Sequence, residues 1–191
     1  MRILILLFLL TFFACVEKGT KSPDLSNIKY TEVYFEDGEN LKAIGKYFND
    51  KKEGEWVEYY PKTSGGPLDI FVKESNENKA DTKEIKLVGQ YRNDKKEGEW
   101  KKYWPSGQLF HIGNFEEDKK VGEWRYYWNS GQLLEYGDYI NDSKVGDWTV
   151  YTMNGALWKK EKWENGKLEG EWKSYYENGR IAEICTYVNG E

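Results

Sequence analysis

Apolar positions along this chain recur with a long period. A Gly-acid-Trp triplet stands at Gly54-Glu55-Trp56, Gly98-Glu99-Trp100, Gly122-Glu123-Trp124, Gly146-Asp147-Trp148 and Gly170-Glu171-Trp172. The last four tryptophans are 24 residues apart, and the first gap is 44. Three residues after each Trp stands a tyrosine, at Tyr59, Tyr103, Tyr127, Tyr151 and Tyr175. Self-similarity at a fixed period marks an array of one supersecondary unit. A degenerate unit without its Trp precedes the array, from about Ile28 to Phe48.

Each unit carries two turn signals. One follows the Trp run, at Ser106-Gly107, Ser130-Gly131, Asn154-Gly155 and Asn178-Gly179; the other lies between units, at Asn49-Asp50, Asn93-Asp94, Asn141-Asp142 and Asn165-Gly166. Asn-Gly and its relatives favour tight hairpins because a type I′ turn needs positive φ at both central residues. Two turns per period leave two strands of about seven to nine residues, and sequential strands then pair as neighbours. The predicted fold is all-β: an elongated, open single sheet of stacked antiparallel β-hairpins.

Register follows by counting. With Ser106-Gly107 as a two-residue loop, Trp104 is expected opposite Leu109, and Trp100 opposite Gly113. Alternation along a strand then puts Trp100, Trp104, Leu109, Gly113 and Phe115 on one face. Across Asn93-Asp94, Leu87 is expected opposite Trp100 and Tyr91 opposite Lys96. Trp124 falls opposite Gly137. A glycine facing an indole leaves room for the ring. Glu161 and Cys185 take the glycine position opposite Trp148 and Trp172, so the rule is looser towards the C-terminus.

The triplet, the Tyr three residues on, the Asn/Ser-Gly-Gln/Arg-Leu/Ile run and a closing Gly-x-aromatic resemble the bacterial variant of the MORN repeat, a family that includes antitoxin-like proteins. The resemblance covers about residues 28–191. It implies a twisted sheet of stacked hairpins, with scaffolding of proteins and contact with lipid among the roles, and it brings no catalytic residues.

The N-terminus reads differently. Met1-Arg2, an apolar run from Ile3 to Ala14 and then Cys15 describe a secretory signal. The run falls short of the ~20 apolar residues a membrane span requires. Phe12-Phe13-Ala14-Cys15 resembles a lipobox, which implies acylation of Cys15. The alternative is cleavage near Ala14 with a free thiol. The expected organisation is a signal peptide at 1–14, a lipidated Cys and polar tether at 15–27, and the repeat domain at 28–191. Residues 61–83 interrupt the repeat as a protruding hairpin or a loop, with Leu68–Val72 as a candidate extra strand. This places the protein in a bacterial cell envelope, lipid-anchored at the outer membrane or periplasmic face, of a Gram-negative cell.

Charge and chemistry narrow the function. A net charge of −5 argues against nucleic acid, whose binders present a basic face. One histidine, His111, and one cysteine beyond the anchor, Cys185, supply neither a nucleophile–base pair nor a zinc ligand set. No enzyme, metal or cofactor is expected. His111 shares its slot with Glu135, Lys159 and Glu183 and reads as a surface position. Cys185 reads as an inert, partly buried thiol. Asp50, Asp94, Asp118 and Asp142 stack at equivalent turns, but neighbouring lysines make solvated turns the expectation there over a calcium ladder. Those lysines also discourage edge-to-edge pairing of sheets.

Trp and Tyr three residues apart lie on opposite faces. The Trp face is expected to be buried within the array. The candidate binding face carries Tyr103, Tyr127, Tyr151 and Tyr175 with Phe110 and Trp158 beside them, suited to a protein partner because tyrosine brings area and a polar tip. A carbohydrate or peptidoglycan ligand, or an antitoxin or immunity role, is the alternative.

Overall fold

The computed structural model describes residues 28–36, 38, 40–61 and 84–191. The signal peptide at 1–14, Cys15 with its tether, and the 61–83 insertion beyond Pro61, including the Leu68–Val72 strand, lie outside the described residues. The strands are β1 (Ile28–Tyr34), β2 (Leu41–Phe48), β3 (Lys51–Tyr59), β4 (Ile85–Arg92), β5 (Lys95–Tyr103), β6 (Leu109–Glu116) and β7 (Lys119–Tyr127). Then come β8 (Leu133–Ile140), β9 (Ser143–Tyr151), β10 (Leu157–Glu164), β11 (Lys167–Leu168), β12 (Gly170–Tyr175) and β13 (Ile181–Tyr187). They form one antiparallel sheet in sequence order, with β11 and β12 both pairing with β10. The all-β, open sheet of consecutive hairpins read from the sequence is what the structure shows.

The two turn classes differ in length. Between units, both central residues have positive φ: 51° and 69° at Asn93-Asp94, and 49° and 68° at Asn141-Asp142. These are two-residue type I′ turns. The pattern missed one of them, Glu117-Asp118, which adopts 48° and 70° despite its glutamate.

Within a unit the loop is one residue longer than the sequence count. Trp104 N donates to Gln108 O at 2.7 Å and Gly107 N to Trp104 O at 2.9 Å, around a Gly107 with φ of 83°. Pro105, Ser106 and Gly107 thus form a three-residue loop, so Leu109 faces Tyr103 and not Trp104. One extra residue, Phe110, then bulges out, because Lys102 faces His111. The longer loop and the bulge cancel, and Trp100 still faces Gly113, as Trp124 faces Gly137.

A second irregularity sits at the triplet. Tyr91 faces Lys96 as expected, but Val88 faces Lys101 and Leu87 faces Lys102 rather than Trp100. Gly98-Glu99-Trp100 therefore oppose the single residue Gly89. Gly98 turns the chain with a φ of 67°, which glycine adopts without steric cost.

That bulge swings the indole sideways onto the neighbouring hairpin. A Cβ on Gly89 would lie 2.2 Å from Trp100 Cδ2, and one on Gly113 would lie 2.2 Å from Trp124 Cδ2. Each glycine is therefore paired with one tryptophan and covered by the next. The covering indole donates Nε1 to the carbonyl just beyond: Trp56 to Lys46, Trp100 to Gln90, Trp124 to Asn114 and Trp148 to Asp138, at 3.1–3.3 Å. These four indoles are 0–2 % exposed. They alternate edge-to-face with Tyr47, Tyr91, Phe115 and Tyr139, at centroid separations of 5.0–6.1 Å. Such pairs contribute ~0.5–1.5 kcal/mol each beyond area burial. A single sheet thereby builds a core without a second layer.

Candidate binding surface

The Trp side is closed by lysines. Lys52, Lys96, Lys120 and Lys144, each four residues before its Trp, hold Nζ 4.5, 4.7, 4.6 and 3.7 Å from the indole centroids. Burial lowers the pKa of Lys96 and Lys120. Their stems shield the rings while their charge meets the ring faces. An offset of four on one strand face was readable as a signal for this lid.

Three sequence expectations change here. His111 is not a surface residue: its ring lies 5.3 Å from that of Trp124 and 5.6 Å from that of Tyr126. Burial, with Lys120, Lys102 and Lys96 nearby, pushes its pKa down to about 4. Phe110 leaves the Tyr side, because the bulge turns it onto Trp104 at 4.4 Å and His111 at 5.1 Å. Trp158 occupies the same bulge position. It is 47 % exposed, with Lys159 Nζ 5.0 Å from its centroid.

At Glu161 the glycine slot holds a buried carboxylate. It accepts from Lys159 Nζ at 2.7 Å and Trp163 Nε1 at 3.0 Å. Burial works to raise its pKa, but these donors and Lys144 outweigh it and hold the carboxyl low. Trp172, whose slot is thus filled, is only half-buried. Cys185 is half-buried and free; burial and the Glu183 carboxylate raise its pKa, which disfavours thiolate chemistry.

The opposite face carries the tyrosines. Tyr103 faces Leu109, Tyr127 faces Leu133, Tyr151 faces Leu157 and Tyr175 faces Ile181. With Tyr59 facing Ile85, an alternating Tyr–aliphatic row crosses the strands, its rings half-buried. The aliphatic partners, six residues after each of the last four tyrosines, were not singled out from the sequence. The parallel row of triplet acids is tied down locally: Glu99 to Lys101 at 2.8 Å, Glu123 to Arg125 at 2.6 Å and Glu171 to Lys173 at 2.5 Å. These exposed pairs contribute little stability, but they order the surface flanking the row.

The turn aspartates have a structural task. Asp94, Asp118 and Asp142 accept the backbone N–H of Lys52, Lys96 and Lys120 in the preceding turn, at 2.7–2.9 Å. They clasp successive units together. Among the described residues no group of His, Cys, Asp and Glu is placed to hold a metal ion.

Residues 96–117, 120–141 and 168–189 match the family model described as the MORN repeat variant. These units are similar to the MORN repeat variant. The matches at 96–117 and 120–141 each run from the lid lysine to the inter-unit turn, so lid, triplet, internal loop and bulge fall within one matched unit, whereas the match at 168–189 begins at Leu168, which stands in the place of the lid lysine. No curated protein matches the chain.

Proposed function

We propose that the chain is a non-enzymatic, membrane-tethered repeat protein of the bacterial envelope whose Tyr–aliphatic row docks a protein partner. The observation that carries this reading is the asymmetry of the two faces. The Trp side buries Trp56, Trp100, Trp124 and Trp148 in its own core, whereas Tyr103, Tyr127, Tyr151 and Tyr175 form a regular row whose rings are only half-buried. Half-exposed tyrosines beside aliphatic side chains suit a protein interface. Acylation at Cys15 holds the array near its membrane, where methylene burial supplies the anchoring.

The test is crosslinking in the native envelope followed by mass spectrometry, with wild type and a Tyr127→Ala/Tyr151→Ala variant. Loss of a specific crosslinked protein, with the β-sheet circular dichroism retained, supports the reading. Retention of every partner removes the Tyr row as the site. Binding to glycans with no protein partner moves the function to the carbohydrate alternative.

A further inference from the structure

The two edge strands of the described sheet, β1 and β13, complement each other. In every internal unit the Gly slot of one strand is filled by the following unit's Trp side, or in one case by its own glutamate. At the β13 edge the slot holds Cys185, which faces Trp172 on one side and, among the described residues, no strand on the other. At the β1 edge the Trp position holds Thr31, since Thr31 faces Gly45 as Trp56 faces Gly89. The slot side has grown from glycine to cysteine, and the side that would fill it has shrunk from tryptophan to threonine.

The opposite face shows the same match. Tyr34 occupies the tyrosine position of the row and is 45 % exposed, while Ile181 occupies the aliphatic position and is 48 % exposed. Each lacks the neighbour that the other provides. Ile184, 53 % exposed, stands free beside them. The β13 edge is not guarded against pairing: Ile181–Tyr187 contains no Lys, Arg or Pro, the residues that usually blunt an edge, and β1 carries one, Lys29, whose Nζ lies 3.7 Å from Asp50. Along β1 the extra residue of its one register shift, Lys42, lies on β2, and among the described residues no strand pairs with the outer side of β1.

We propose that copies of this chain associate head to tail, with β1 of one copy adding as the next strand beyond β13 of another. Repeat register sets Cys185 opposite Thr31, Ile184 opposite Glu32 and Glu183 opposite Val33 of the second copy. The Tyr–aliphatic row then runs on from Ile181 to Tyr34. Such a contact joins two different surfaces, so it propagates into a file of copies instead of closing as a symmetric pair.

Directly opposed residues in an antiparallel pair bring their Cα atoms to ~4.5–5.5 Å, within reach of a disulfide. The full-length Thr31→Cys protein, with native Cys185, is therefore oxidised mildly and run without reductant. The expected result is a ladder of dimer, trimer and larger species that disappears in Thr31→Cys/Cys185→Ser. Glu32→Cys, whose side chain points to the other face, is expected to give no ladder. Acylation consumes the Cys15 thiol, and a crosslink that survives in the Cys185→Ser control would run through unacylated Cys15 and not through the β13 edge. Val33→Cys/Glu183→Cys in the Cys185→Ser background reads the same register one step along, should Thr31→Cys perturb the edge. Monomers throughout, dimers that need only Cys185, or equal crosslinking by Glu32→Cys would each overturn the proposal.

Discussion

Replacing Gly113 by alanine sets two physical effects against each other. In a strand interior, glycine costs ~0.5–1 kcal/mol relative to alanine through backbone entropy, so an accounting by propensity has the variant gaining stability. The new Cβ, however, would sit 2.2, 2.3 and 2.6 Å from Cδ2, Cε2 and Cγ of Trp124. That indole is held from above by Lys120 and from the sides by Phe115 and Tyr139, so it cannot tilt away freely. Overpacking costs ~1–3 kcal/mol, and losing the bond from Trp124 Nε1 to Asn114 O removes ~1 kcal/mol more. The net expectation is a destabilisation of about 1–3.5 kcal/mol. Urea unfolding followed by far-UV circular dichroism reads it as a lower midpoint, with a red-shifted indole emission in the native baseline. Gly122→Ala is the control: no atom lies within 4 Å of its Cβ, and its φ of 64° leaves only a left-handed penalty of ~1–2 kcal/mol. In a Trp124→Val background, Gly113→Ala should lose most of its cost, because the atoms it struck are gone. An unchanged or raised midpoint for Gly113→Ala alone would refute the covering arrangement.

Glu117→Asn is expected to stabilise by about 0.5–1 kcal/mol, since asparagine tolerates the 48° φ better than glutamate and the ion pair it forfeits with Lys95 is exposed; thermal melting checks it. Asp118→Ala is expected to cost about 1–2 kcal/mol through loss of the acceptor for Lys96 N–H, while Asp118→Asn stays near wild type in the same melts. For His111 the folded pKa of about 4 lies below the ordinary 6.5, so the unfolded chain takes up the proton first. Stability is therefore lost as pH falls from about 6.5 towards 4, and His111→Phe should show a shallower decline over that window in urea midpoints. Cys15→Ser is expected to move the protein from the membrane to the soluble fraction and to abolish incorporation of labelled palmitate. Incorporation that survives the substitution rules out Cys15 as the acylated residue.

Period, hairpin order and the meeting of Trp with Gly were legible because they depend on residues that recur at fixed spacing. The bulges were not. Phe110 adds one residue and the Gly98 bulge two, and their effect on register is invisible unless the strands are already aligned; at the internal loop the longer turn and the Phe110 bulge cancel. The cancellation preserved the Trp100–Gly113 and Lys102–His111 pairs while moving Leu109 and Phe110 to other neighbours. Side-chain direction thus failed where inter-strand distance did not. The Lys lid escaped notice for a different reason: beside turn aspartates, lysines read as solvated charges, and only the indole beneath them gives them another use. The Tyr row was found by offset, but its aliphatic half was not, because a loop length one residue short put Leu109 on the Trp face, opposite Trp104 instead of Tyr103.

The aspartate clasp at Asp94, Asp118 and Asp142 fixes the phase of each of these turns relative to the one before. Because each clasp refers only to its immediate predecessor, copying or deleting one 24-residue block changes the span by two strand spacings, ~10 Å, and leaves every remaining side chain facing as it did. The protein is therefore a ruler graduated in whole hairpins, able to be lengthened without being redesigned.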